Sequence, residues 1–175
     1  MSKKPLSEVL NLVSRLLEES GVEHILIGGF AIGLRGYPRT TVDIDFLVNG
    51  DHVTKARITL ENNGFVCETE TEEAMHFSGD GLVDFLIAKR PHSLNMLAKA
   101  SKLEGVRPKV AQVEDIIGLK IQAYCNDPQR LWKDQADIAE LIRTNPNLDW
   151  AQVMVYAKIF QQEKLLQEIR DRLQP

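Results

Sequence analysis

Two aspartates one residue apart, Asp43 and Asp45, sit inside an otherwise apolar run, Val42 to Val48. A strand has period two, so both carboxylates project from the same face. Two such groups side by side repel each other, and a divalent cation between them removes that cost. Mg²⁺ is a hard ion commonly held by one or two carboxylates, with substrate phosphates completing its shell. Gly28 and Gly29 stand upstream, at the end of the apolar run Ile25-Leu26-Ile27. A glycine pair there permits close backbone approach and opens a short helix whose first N–H groups can face an anion. The pattern is that of a site for a metal ion and phosphate.

A third carboxylate has a similar setting. Asp84 is the one charge in Leu82-Val83-Asp84-Phe85-Leu86-Ile87-Ala88. A lone aspartate in a buried strand is costly unless it is paired or on a metal. It reads either as an edge-strand aspartate or as the third ligand of the Asp43/Asp45 site. Asp80 competes for that role, but it falls in the turn Ser78-Gly79-Asp80-Gly81 and is set aside.

Gly28-Gly29 followed by Arg39-Thr40-x-x-Asp43-x-Asp45 resembles the pattern of the nucleotidyltransferase superfamily with the DNA polymerase β-like fold. The closer likeness is to its AbiEii-like and minimal nucleotidyltransferase branch of small bacterial proteins. The resemblance implies an α+β fold, a mixed sheet flanked by helices and followed by a C-terminal helical segment. It implies an enzyme that uses Mg²⁺, with Mn²⁺ as a substitute, to transfer a nucleoside monophosphate from a nucleoside triphosphate to an acceptor hydroxyl. Asp43, Asp45 and Asp84 would be the catalytic and metal-binding residues. Gly28, Gly29, Arg39 and Thr40 would meet the nucleotide.

The later part of the chain carries a second likeness to that branch. Lys120 stands alone in Ile117-Gly118-Leu119-Lys120-Ile121, and Arg130-Leu131-Trp132-Lys133-Asp134-Gln135-Ala136-Asp137 follows. The resemblance implies that Lys120, Lys133, Asp134 and Asp137 contact the nucleotide or brace the lysine. Read on its own, Lys120 could equally snorkel to the surface along an apolar face. Asp134 and Asp137 share a helix face at i, i+3 spacing. The acceptor stays open between a tRNA 3′ end, a protein hydroxyl and a small aminoglycoside-like alcohol. A toxin held in check by an antitoxin protein is compatible with the same chemistry. The alternative is a silent nucleotide-binding or protein-interaction module on this fold.

Composition bounds these readings. The chain has 175 residues, 43% of them hydrophobic, enough for a buried core. A net charge of −4 argues against a broad nucleic-acid footprint. No apolar run is long enough to span a bilayer, so no membrane partner is expected. Met1 to Pro5 lead into an amphipathic segment, and Cys67 and Cys125 read as reduced thiols; a cytoplasmic protein is expected. His24, His52, His76 and His92 lack zinc-ligand spacing.

Periodicity and turn residues predict the elements. Helices are expected over 5–19, 30–34, 51–62, 113–125 and 129–143, and within 91–101. One broken or continuous helix is expected over 149–173. Strands are expected over 24–27, 42–48, 65–67, 74–77 and 82–88, with 68–73 as an acidic solvated turn. The layout is a catalytic α/β module over 1–111 and a helical segment over 112–175 packed on it.

Overall fold

The computed structural model describes residues 4–173. A five-stranded mixed sheet in the order β1-β2-β5-β4-β3 comprises β1 (His24–Ile27), β2 (Asp43–Asn49), β3 (Val66–Glu70), β4 (Ala74–Ser78) and β5 (Leu82–Ala88). β2 and β5 are parallel; the other pairs are antiparallel. The helices are α1 (Leu6–Glu19), α2 (Gly28–Leu34), α3 (Val53–Glu61), α4 (Pro91–Lys99), α5 (Val113–Asn126), α6 (Leu131–Thr144), α7 (Trp150–Ile159) and α8 (Glu163–Leu173). The fold is α+β.

The chain divides into two compact units. One holds the chain through Ala31 together with Thr40–Ala111; the other holds Ile32–Arg39 and the chain from Gln112 onward. The division at 111/112 therefore has an exception, because 32–39 belong with the second unit. The link is local: Gly36, at φ +106, brings the chain beside Thr144, and Asn145 Nδ2 donates to the Arg35 carbonyl at 2.9 Å.

In the first unit, alternation decides which side of each strand is buried. Ile44, Phe46 and Val48 of β2, Val83 and Phe85 of β5, and Met75 and Phe77 of β4 are all buried. Phe46, Phe85 and Phe77 meet ring to ring across the three strands, at centroid separations of 6.1 and 5.1 Å. Such tilted and edge contacts suit the ring quadrupoles. Val9, Val13 and Leu17 of α1 are fully buried, the helical stripe that the spacing anticipates. Residues 109–111 cover the outer edge of β1: Leu26 N–H donates to the Lys109 carbonyl and Ala111 N–H to that of Leu26. An unpaired edge would otherwise be open to pairing with another chain.

Two expectations change here. The helix expected from Asp51 starts as a 3₁₀ turn, Gly50–His52, capped by Asn49 Oδ1 on the Asp51 N–H at 3.0 Å. The acidic stretch after Cys67 is no turn as far as Glu70. It is the outer strand β3, interrupted by a register shift between Cys67 and Thr69. Charged side chains on an outer strand face water and hide the pairing from a hydrophobicity pattern.

In the second unit α5 packs on α6 and α7. Gly118 allows the close approach of α7, because a Cβ there would lie 2.6 Å from the Tyr156 ring. The buried Tyr156 hydroxyl donates to Asp115 Oδ1 at 2.5 Å. Burial first, and that aspartate second, push the phenol far above its usual range, so it stays a donor. The chain breaks between α7 and α8 at Gln161, φ 56, so 149–173 form two helices.

Candidate functional site

The parallel register of β2 and β5 sets Asp45 directly beside Asp84, and Asp43 lies two residues back along β2. One carboxylate oxygen from each of Asp43, Asp45 and Asp84 lies within 4.8 Å of the others. All three side chains are half-buried. Asp80 stands apart, in an ion pair with Lys4 at 2.6 Å.

Each carboxylate of the cluster has its own polar partner. Thr41 Oγ1 donates to Asp43 Oδ1 at 2.7 Å. The Gly29 N–H points at Asp45 Oδ2 at 3.4 Å. His76 Nδ1 lies 2.9 Å from Asp84 Oδ1. Donors of this kind hold a carboxylate in one orientation and offset the repulsion between like charges. Three oxygens of hard carboxylate type, half open to solvent and already oriented, fit a divalent cation such as Mg²⁺ or Mn²⁺.

Gly28 shows why the glycine pair precedes this strand. Its φ is +65, and a Cβ there would stand 1.8 Å from Asp45 Oδ2 and 2.3 Å from Asp45 Cγ. Both the backbone conformation and the space demand glycine. Gly28→Ala is therefore expected to swing Asp45 out of the cluster and to weaken Mn²⁺ binding, read by calorimetric titration, at a folding cost of about 1–2 kcal/mol for the left-handed residue. Unaltered Mn²⁺ affinity in a folded Gly28→Ala protein would count against the cluster as a cation site.

The other nominated residues occupy different surroundings. Thr40 is exposed, and the hydroxyl of the next residue, Thr41, reaches Asp43. In the second unit Lys120 is only 6% exposed, so the surface reading of this lysine is overturned. Its Nζ lies 2.7 Å from Asp134 Oδ1 and 2.8 Å from Asp137 Oδ2. Asp134 and Asp137 therefore balance its charge. Arg130 Nε meets the far oxygen of Asp134 at 3.0 Å, and Arg39 Nε meets Asp137 Oδ1 at 3.2 Å. Lys133, one residue before Asp134, is exposed and enters no ion pair among the described residues.

Burial works to raise the Asp134 pKa, but hydrogen bonds from Arg130 and Lys120 outweigh it and hold the group below the usual carboxylate range. The thiols offer no poised nucleophile, since burial pushes both Cys67 and Cys125 upward. Thr41 and His76 escaped the sequence reading. The threonine had a signal, a hydroxyl two residues before an aspartate, which is turn-forming spacing. The histidine had none, because only the register of β4 on β5 pairs it with Asp84.

No family model matches the chain, and no curated protein does. Among solved structures the chain is similar to that of the antibiotic-resistance factor ANT(2'')-Ia in solution. There the TM-score is 0.69 and the identity 18%, over 98% of this chain and 99% of that one. The crystal structure of ANT(2'')-Ia in complex with adenylyl-2''-tobramycin gives a TM-score of 0.67 and 19% identity, over 91% and 98%. The lincosamide antibiotic adenylyltransferase LnuA, lincomycin-bound, gives 0.59 and 16%, over 80% and 98%. The chain thus has the fold of the nucleotidyltransferases. No helix among the described residues is long and apolar enough to cross a membrane.

Proposed function

We propose that the protein is a divalent-metal-dependent nucleotidyltransferase, moving a nucleoside monophosphate from a nucleoside triphosphate to an acceptor hydroxyl. The observation that supports this most is the cluster of Asp43, Asp45 and Asp84 beside the Gly28–Gly29 turn, on a fold found in adenylyltransferases. In the reaction the acceptor oxygen attacks the α-phosphorus. The bond from that phosphorus to the bridging oxygen breaks, and pyrophosphate leaves with the electron pair. Asp84 takes up the acceptor's proton or passes it to water. When bound by Asp43, Asp45 and Asp84, Mg²⁺ or Mn²⁺ supplies charge neutralisation for the triphosphate and acidifies the acceptor hydroxyl.

The roles of this chain's residues follow. Thr41 and the Gly29 N–H hold Asp43 and Asp45 in their orientations. Gly28 leaves room for the Asp45 carboxylate. Gly28, Gly29, Arg39, Thr40, Lys120, Lys133, Asp134 and Asp137 are the proposed nucleotide-binding set. Arg39 and Lys120 enter it as cations already balanced by aspartate.

For the acceptor we favour a small polyhydroxylated molecule. The likeness to ANT(2'')-Ia and LnuA supports it, and so does a net negative chain, which draws a tRNA backbone poorly. Membership of the AbiEii-like branch, with a toxin role and an antitoxin partner, rests on the sequence resemblance alone. The test is incubation with each α-labelled nucleoside triphosphate and Mg²⁺, against antibiotics with free hydroxyls, tRNA and protein extract. Label is expected on a small molecule, and Asp84→Asn is expected to abolish it while sparing triphosphate binding. Label on RNA or protein would move the acceptor; no label with any acceptor would defeat the reading.

A further inference from the structure

We propose that His76 is a positioning residue that sets the Asp84 carboxylate for metal and acceptor; the catalytic part of this rests on the function proposed above. The register places Asp45, Asp84 and His76 in one row across β2, β5 and β4. Registered neighbours project from the same face of a sheet. The residues flanking His76, Met75 and Phe77, are buried on the other face, which fixes its direction outward.

β5 lies between β2 and β4, so His76 grips Asp84 from the side opposite Asp45. Its Nδ1 lies 2.9 Å from Asp84 Oδ1. That bond engages Asp84 Oδ1, and a carboxylate oxygen of Asp84 lies within 4.8 Å of oxygens of Asp43 and Asp45 on β2. The three carboxylates then form a matched set, with a hydroxyl on Asp43, an amide on Asp45 and an imidazole on Asp84. Groups that hydrogen-bond a metal-binding carboxylate orient it and are commonly worth 10- to 100-fold in affinity or activity. A plain cross-strand pair would do nothing but steady the sheet, by tenths of a kcal/mol.

Donation requires the proton on Nδ1, whereas Nε2–H is the alternative tautomer. The first test reads this directly, by ¹⁵N NMR of the imidazole at about pH 8.5, where an ordinary histidine is neutral. It uses the protein without nucleotide, metal or acceptor, and therefore stands apart from the proposed reaction. Nδ1 of His76 should be protonated in the wild type and lose that preference in Asp84→Ala. A bare Nδ1 in the wild type would overturn the proposal.

The second test compares His76→Asn with His76→Leu. Asparagine Nδ2 can donate from nearly the place of Nδ1; leucine cannot. His76→Leu should weaken Mn²⁺ binding, read by calorimetry, by about tenfold, and His76→Asn should restore most of it. If transfer is measurable, kcat should fall by about tenfold in His76→Leu with KM for the triphosphate unchanged, and recover in His76→Asn. Equal Mn²⁺ affinity in wild type and His76→Leu, or equal losses in the two variants, would reduce His76 to a sheet contact. If no acceptor is ever labelled but the tautomer and the Mn²⁺ pattern hold, the reaction falls and His76 keeps its role in the cation site.

Discussion

Asp45→Asn is expected to lower transfer by about three orders of magnitude or more, while leaving the protein folded. Asp45 occupies the centre of the site: its register partner on β5 is Asp84, the Gly29 N–H points at its Oδ2, and Gly28 is shaped around its carboxylate. The amide is nearly isosteric and keeps the packing, but it removes one of three charges available to a divalent ion. Metal ions contribute several kcal/mol to such transition states, and each 1.36 kcal/mol is tenfold in rate, so about three orders is the scale. The dependence of nucleotide affinity on Mg²⁺ should vanish with it. Thermal unfolding without metal supplies the control. The variant, like Asp43→Ala with Asp45→Ala, should melt no lower than the wild type, because removing like charges relieves repulsion. Metal-enhanced triphosphate binding that survives in a folded Asp45→Asn protein would defeat the assignment.

How much of this could be read in advance follows from the range of the interactions. The Asp43-x-Asp45 strand and the lone Asp84 announced themselves because period two and apolar neighbours act within a few residues. Gly28 was visible for the same reason, although its fit against Asp45 was not. The His76–Asp84 contact depends on where β4 registers on β5, which is settled by Met75, Phe77 and Phe85 packing on the far face. No local pattern carries that information. β3 hid because an outer strand with exposed glutamates looks like a loop. The ties of 32–39 to the second unit come from far along the chain, as with Asn145, 110 residues beyond Arg35. Asp134 and Asp137 could be placed on one helix face by spacing, but not against the lysine of the preceding helix.

That lysine gives the other large effect. Lys120→Met is expected to destabilise the protein by about 3 kcal/mol, the lower end for breaking a buried ion pair. The side chains of Lys120, Asp134 and Asp137 are 8%, 0% and 4% exposed. Removing the lysine leaves two carboxylates in the interior. The lower end applies because Asp134 keeps Arg130 and Asp137 keeps Arg39. Methionine matches the lysine stem in length, so lost charge, more than lost packing, is what the variant reports. The pH dependence has a definite sign. Folding holds the Asp134 pKa below its unfolded value, so the group adds stability that is complete above the ordinary carboxylate range. That stability drains away as the pH falls through the folded value. Without Lys120 the lowering weakens and burial works against ionisation, so the variant has less of this stability to lose as the pH falls. Urea unfolding of wild type and Lys120→Met at about pH 7, 5 and 4 measures this, with the gap in midpoint widest at pH 7 and narrowing toward pH 4. Adding Asp137→Leu to Lys120→Met should recover part of the loss, since a buried charge is then removed with its partner. A Lys120→Met protein as stable as the wild type at pH 7 would show that the paired charges do not hold α5 to α6.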